Sequence, residues 1–186
     1  MYTPASARLS QFLGRAMNCI YLKQRCEGED VDPLLRDLDT WWKTLPDHLT
    51  NNPVPDSFAN ATFYLRLRYH CTFVLITRPF LFDATFVTHG TRNRYVGICE
   101  DHNSAAIDTL LEMQSKNLLA GSFWFDSYIL TSSLILLMRI ITNPLSLELH
   151  ERARSMQGLL RINPGKIQSH ADKCFDMVLE DINCHE

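Results

Sequence analysis

The residue types that most often carry out chemistry are present in this chain, but their spacing supports little of it. His170 and Cys174 are four residues apart, so a helix would place both side chains on one face, where they could meet one metal ion. A closed zinc site needs four ligands, and no second pair of ligands follows nearby. Cys174 also belongs to an apolar stripe. We therefore interpret both residues as structural.

Nucleophilic catalysis needs a hydroxyl or thiol, a base held beside it and a third group that orients the base. The candidate nucleophiles are Cys71, Ser104 and Ser122, and the candidate bases are His70 and His102. None of them lies in a setting such as G-x-S-x-G. The sequence favours the simpler interpretation that His70 and Cys71 pack within a helix and that the two serines cap helices.

The motifs of helical metalloenzymes and of phosphate-binding loops are also missing. Di-iron bundles need E-x-x-H pairs that face inward, and the sequence contains none. Its acidic pairs, at 29–30, 100–101 and 180–181, do not form the D-D-x-x-D run of isoprenoid cyclases. The seven glycines are scattered singly, so they form no phosphate-binding loop. We predict that the chain is not an enzyme and that it holds no catalytic, metal or cofactor site.

The composition favours a folded domain without an electrostatic affinity for DNA. The chain has 186 residues, 46% of them apolar, and a formal charge of −3. Such a composition excludes a disordered chain, and the absence of a basic excess predicts no direct contact with DNA. Six cysteines without a C-x-x-C pair, and without a secretory signal, predict reduced thiols in a cytosolic or nuclear protein. The apolar stretch 123–141 is interrupted by polar residues, so we predict no membrane contact.

Prolines divide the chain into segments that keep the apolar period of helices, and no alternation of period two is sustained. Two helices are expected to begin at Thr3-Pro4 and at Asp32-Pro33, with the residue before each proline as the N-cap. A third helix is apolar on more than one side, which is typical of a central helix. Residues 83–98 show no such period, and we predict an exposed loop there, before a helix that begins near Cys99. The expected helices cover 3–28, 32–45, 57–77, 99–116, 123–141, 146–161 and a last segment from 167. The sequence therefore predicts one all-α domain, residues 1–186, of about seven helices.

The aromatic residues allow two interpretations. They could line a cavity for an apolar ligand, or they could form an ordinary core, which is the default because buried aromatic rings dominate ordinary cores. The set is Trp41, Trp42, Phe63, Tyr64, Phe73, Phe80, Phe82, Phe123, Trp124 and Phe125.

Three segments, taken in order, carry a family resemblance. The first segment is Leu35 to Pro46, which contains Trp42 and Leu45. The second begins with Leu67-Arg68-Tyr69-His70 and ends with Arg78-Pro79-Phe80-Leu81. The third consists of Cys99 and Ala105-Ala106, followed by Phe123 and Tyr128. Together, over residues 9–141, they resemble the fungal-specific transcription factor domain. This domain is the regulatory middle homology region of the zinc-cluster (Zn2Cys6) transcription factors.

The resemblance implies a nuclear, helical regulatory region without catalytic residues. Such a region modulates transcription by packing against a coregulator or a second copy, or by responding to a small-molecule inducer. In the family, zinc and DNA are bound by an N-terminal cluster of six cysteines, and the cysteine spacings here match no part of it. No zinc, cofactor or DNA-binding residue is therefore expected in this chain. Because the first helix begins almost at Met1, we also expect the upstream part of the middle region to be missing.

The motif residues are expected to determine the fold and not to form a site. Trp42, Leu45 and Pro46 are expected to set the exit of the second helix. The other motif residues expected to determine the fold are Arg78, Pro79 and Phe80. Arg78 stands between a buried helix and the turn at Pro79-Phe80, and we expect its guanidinium to bind the last carbonyl groups of that helix, which lack partners.

Three alternatives remain open at the level of the sequence. The chain could be an autonomous helical module that binds an apolar small molecule, which would raise its stability. It could be a helical enzyme of an unrecognised type. It could also be a truncated gene product without a function of its own, in which case apolar surface should be exposed and the chain should self-associate.

Overall fold

The computed structural model of this chain is helical. It describes residues 2–22, 28–50, 59–82, 89–119, 123–162 and 171–177, and these ranges contain no β-strand. The helices are α1 (Tyr2–Ala16), α2 (Gly28–Lys43), α3 (Asp47–Thr50), α4 (Ala59–Thr77), α5 (Pro79–Phe82), α6 (His89–Ser115), α7 (Phe123–Thr142) and α8 (Leu147–Ile162). A π-helical segment, Met17–Leu22, follows α1, and residues 171–177 are helical. The predicted all-α fold is confirmed.

The contacts divide the chain into two compact units, Met1–Ala106 and Ile107–Glu186, and the boundary falls inside α6. In the first unit, α4 is the central helix, because α1, α2, α3 and α5 all pack against it. The side chains of 61–77 are all buried or half-buried, as the apolar pattern on more than one side of this helix predicted. The most deeply buried members of the core cluster include Leu9, Phe12, Leu38, Leu65, Ile76, Phe80 and Tyr95.

The predicted start of α2 is wrong. The helix begins at Gly28, and Pro33 lies inside it. Asp32 is therefore not an N-cap. Its Oδ1 accepts a hydrogen bond of 2.7 Å from the hydroxyl of Tyr95 and is paired with the guanidinium of Arg94, both on α6. The capping rule considers only the local sequence, whereas this carboxylate is held by partners more than sixty residues away.

The loop predicted before Cys99 is also wrong where the structure describes it, because α6 begins ten residues earlier, at His89. Side chains of this first part of α6 bind other elements of the same unit: Arg92 binds α5, and Tyr95 binds α2. Tyr95 lies four residues before Cys99, so the apolar period of α6 extends upstream to it. Residues 83–88, at the start of the predicted loop, lie outside the described residues.

The predicted end of the first helix at residue 28 is also wrong, because α1 ends at Ala16, the π-helical segment follows it to Leu22, and Gly28 is the first residue of α2. The other boundaries within the described residues agree with the predictions within about two residues, which is the usual disagreement at helix ends. The sequence did not predict α3 and α5, because a helix of four residues is too short to show a period. Within the described ranges, none of the helices combines the length and hydropathy that a membrane span requires.

In the second unit, α7 packs against α8. Ser146 caps α8, since its Oγ accepts a hydrogen bond of 3.4 Å from the backbone N–H of Leu149. The buried stripe of α8 consists of Leu149, Ala153, Met156 and Leu160, which are spaced three and four residues apart. Side-chain hydrogen bonds also link α8 to the helical segment 171–177, including one of 2.6 Å from Gln157 Nε2 to Asp176 Oδ1.

The prediction that Cys174 belongs to an apolar stripe is wrong. Ala171 and Phe175 are buried, four residues apart on one face of the segment 171–177. Cys174 is exposed instead of belonging to this stripe. The stripe is narrow, so the residue beside Phe175 lies on its flank and reaches solvent.

Candidate functional site

The motif residue Trp42 belongs to a row of aromatic rings that crosses the first unit. This aromatic row consists of Phe12 from α1, Trp41 and Trp42 from α2, and Tyr69 and Phe73 from α4. Ring centroids are 5.7 Å apart between Phe12 and Trp41, 6.2 Å between Trp41 and Trp42, and 5.1 Å between Tyr69 and Phe73. Trp42 stacks on Tyr69 at 4.1 Å. Because these rings pack on one another, the row favours the core interpretation of the aromatic residues over a ligand cavity.

A pair of histidines lies at the α4 end of this row. His70 of α4 and His102 of α6 approach each other with 3.0 Å between their Nδ1 atoms. The ring of Phe73 stacks face to face on His102, with 3.8 Å between centroids and 4° between planes. Tyr69 meets His70 edge-on at 5.1 Å. One imidazole must donate its Nδ1–H to the Nδ1 lone pair of the other, so the bond requires two different tautomers.

Both histidines are neutral at pH 7 in this surrounding. Burial, together with the neighbouring His102 and Arg66, lowers the pKa of His70 to about 3. Burial likewise lowers the pKa of His102 to about 4, although the carboxylates of Asp101 and Asp39 act to raise it. The cost of desolvating an imidazolium therefore outweighs the attraction of two carboxylates.

The candidate nucleophile Cys71, which follows His70 on α4, is held in its unreactive protonated form. Cys71 is buried, and burial raises the pKa of its thiol well above the ordinary value. Burial also raises the pKa of Cys99 to about 11. Since the thiolate is the reactive form, both thiols are inert at neutral pH. Ser104 is half-buried in the interior of α6, so the prediction that it caps a helix is wrong, and Ser122 lies outside the described residues.

The metal interpretation of His170 and Cys174 is not decided by the structure, because His170 lies outside the described residues. Across the part of the chain that the structure describes, no three side chains of His, Cys, Asp or Glu are grouped so that they could hold a metal ion.

The exit of α2 involves the three motif residues that we expected there. The backbone N–H of Leu45 donates to the carbonyl of Trp42 at 3.1 Å, and the N–H of Leu49 donates to the carbonyl of Pro46 at 2.8 Å. Leu45 packs against the core, and Leu49 is buried within it. One turn thus closes α2 and the next opens α3, while the Trp42 ring is held by Tyr69.

Arg78 reaches the end of α4 differently from our expectation. Its Nε donates a hydrogen bond of 2.9 Å to the hydroxyl oxygen of Tyr21, in the π-helical segment. That hydroxyl in turn donates to the carbonyl of Leu75 at 2.8 Å. The cation therefore acts on a carbonyl of α4 through Tyr21. Sequence reasoning missed Tyr21 because it precedes Arg78 by 57 residues.

The cation that binds carbonyl groups directly at this turn is Arg92 of α6. Its Nε donates to the carbonyl of Phe80 and its second terminal nitrogen, Nη2, donates to the carbonyl of Leu81, both at 3.1 Å. The ring of Phe80 packs against Tyr95, with 4.5 Å between centroids. Arg92 thus caps α5, and the ring of Tyr95 covers the buried side chain of Phe80.

Replacement of Arg92 by alanine should lower the free energy of unfolding by about 1–2 kcal/mol, because two carbonyl groups lose a charged donor. Urea unfolding followed by circular dichroism measures the change. Arg92→Lys should recover only part of the loss, since an ammonium lacks the guanidinium fork. The exposed Arg154 offers a matched control, and Arg154→Ala should change stability by less than about 0.5 kcal/mol. Equal effects of Arg92→Ala and Arg154→Ala would contradict this role.

Four exposed apolar side chains lie on α7 and around the turn from α7 into α8. Leu134 and Ile141 are seven residues apart, on one face of α7, and Leu145 and Leu147 flank the turn into α8. Their side chains are between 51% and 89% exposed. We call these four residues the apolar end. Exposed apolar side chains near one another in the sequence can mark protein–protein contact when they form one patch.

Comparison of the chain with protein-family models, with curated proteins and with solved structures found no match.

Proposed function

We propose that this chain is the regulatory region of a fungal zinc-cluster transcription factor, acting in the nucleus through contact with another protein and not through catalysis. The observation that supports the proposal best is the packing of the three motif segments on one another. Trp42 from the first segment stacks on Tyr69 from the second, and His102, within the Cys99–Ala106 stretch of the third, bonds to His70 beside Tyr69. The three motif segments therefore contribute side chains to one packed region of the first unit.

The surface that we propose for the partner is the apolar end. Leu145 and Leu147 are 89% and 73% exposed, so they contribute little to the folded state of the chain alone. Apolar side chains in such positions are stabilised when a coregulator or a second copy covers them. Neither zinc nor DNA contact is proposed for this chain, in which we assign no residue to either.

The test is a tethering experiment. The full chain is fused to a heterologous DNA-binding domain, and a reporter gene with the matching binding site is measured in a fungal host. We expect the fusion to raise or lower reporter expression severalfold relative to the DNA-binding domain alone. Expression equal to that of the DNA-binding domain alone, at matched protein levels, would overturn the proposal.

A double variant separates the proposed surface from the proposed function. Leu145→Ser with Leu147→Ser should abolish the reporter effect without changing thermal stability, because both side chains are exposed. The matched control is the exposed Ser155→Ala on α8, which should leave the effect unchanged. If the double variant keeps the full reporter effect, then the surface is wrong although the function stands.

A further inference from the structure

We propose that the hydrogen bond between His70 and His102 is a proton-sensitive latch that holds α4 and α6 of the first unit together. This inference does not depend on the proposed function. It begins from the chemistry of the bond: one Nδ1 must carry a hydrogen and the other must offer a lone pair, across 3.0 Å. When both rings are imidazolium, both Nδ1 atoms carry hydrogen, and no acceptor remains. Two protons thus convert a hydrogen bond into a repulsion between like charges.

The surroundings also oppose the first proton. Phe73 covers one face of His102, and the edge of Tyr69 meets His70, so neither ring is surrounded by water on all sides. Arg66 on α4 adds a positive charge near His70. Asp39 on α2 and Asp101 on α6 attract a proton to His102. The carboxylate of Asp39, however, also forms an ion pair with Lys43, with 2.6 Å between Oδ2 and Nζ. The net result is a folded pKa of about 3 for His70 and about 4 for His102.

The sign of the pH dependence follows from these values. An exposed histidine in the open or unfolded chain has a pKa of about 6.5. Both folded pKa values are lower, so the stabilisation is fully present above about pH 6.5 and is lost as the pH falls towards 4. Opening of the α4–α6 contact below pH 6.5 therefore takes up protons. From about pH 7.5 to about pH 5.5, each histidine raises the opening constant about tenfold, and the pair raises it about a hundredfold.

Buried thiols report this opening without denaturant. Cys71 follows His70 on α4, and Cys99 lies one turn before His102 on α6; both are buried. Their rates of reaction with a pyridyl disulfide, resolved by peptide mass spectrometry, are compared among wild type, His70→Gln, His102→Gln and the double variant at each pH. The exposed Cys174 is the internal control, and its rate should be equal in all four proteins.

Between about pH 7.5 and about pH 5.5, the protection of Cys71 and Cys99 should fall about a hundredfold further in wild type than in the double variant. In each single variant it should fall about tenfold further than in the double variant. The exposed His48 provides a matched control, since His48→Gln should retain the full wild-type pH dependence. Equal pH dependence in wild type and in the double variant would overturn the latch.

A measurement on wild type alone covers the case in which the double variant does not fold. Nuclear magnetic resonance titration of the imidazole protons should show two histidines that remain neutral at about pH 5.5, well below the ordinary pKa of histidine. Assignment uses the single variants, each of which should lack one of these two resonances. If His70 or His102 titrates near pH 6.5 in the folded protein, the latch does not exist.

Discussion

Replacement of Phe80 by alanine should lower the free energy of unfolding by about 3–5 kcal/mol. The side chain is 2% exposed and belongs to the core cluster of the first unit, although it is carried by a helix of only four residues. Removal of the ring takes away its contact with Tyr95 at 4.5 Å and leaves a cavity that so short a helix has few ways to fill. Folded domains have a net stability of about 5–15 kcal/mol, so this loss would remove a large share of the stability of the protein.

Urea unfolding followed by circular dichroism measures this effect, and two variants control it. Phe80→Leu keeps most of the volume and should cost less than about 1.5 kcal/mol. Leu145→Ala removes an apolar side chain that is 89% exposed, and should change stability by less than about 0.5 kcal/mol. If Phe80→Ala costs no more than Leu145→Ala, then Phe80 does not anchor α5 in the core.

The burial of Phe80 also shows which parts of this fold can be predicted from the sequence and which cannot. Its place beside Arg78 and Pro79 identified a turn, and the apolar period identified α4 and the long helices of the second unit, because both signals are local. The partner of Phe80 is Tyr95, in a stretch that we expected to be an exposed loop. The contacts that support the helix there are made with α2 and α5, so the local sequence indicates it only through the four-residue spacing of Tyr95 and Cys99.

The candidate site illustrates the same limit. The sequence offered His70 and His102 as alternative bases for a nucleophile, and it contains no sign that they bond to each other across 32 residues. Their spacing becomes meaningful only once α4 and α6 are packed together. The low pKa values arise from burial, which is a property of the tertiary structure and not of the residue type.

Replacement of Trp42 by alanine should lower the free energy of unfolding by about 3 kcal/mol, at the lower end of the range for large aromatic side chains because Trp42 is half-buried. The loss has two parts: the buried area of the indole, and the stacking on Tyr69 at 4.1 Å. A double-mutant cycle with Tyr69→Leu separates them, and the coupling should be about 0.5–1.5 kcal/mol. A coupling of zero would mean that the two rings are neighbours without a specific interaction.

The same variant distinguishes the histidine latch from damage to the core in general. Trp42 contacts Tyr69, whereas the latch consists of the bond between His70 and His102. Trp42→Ala should therefore lower stability equally at about pH 7.5 and about pH 5.5, and the pH dependence of the wild type should persist in it, since the same protons are taken up on opening. Loss of that pH dependence in Trp42→Ala would mean that the aromatic row holds the two imidazoles in place, and that the latch extends from the histidine pair to the motif tryptophan at the exit of α2.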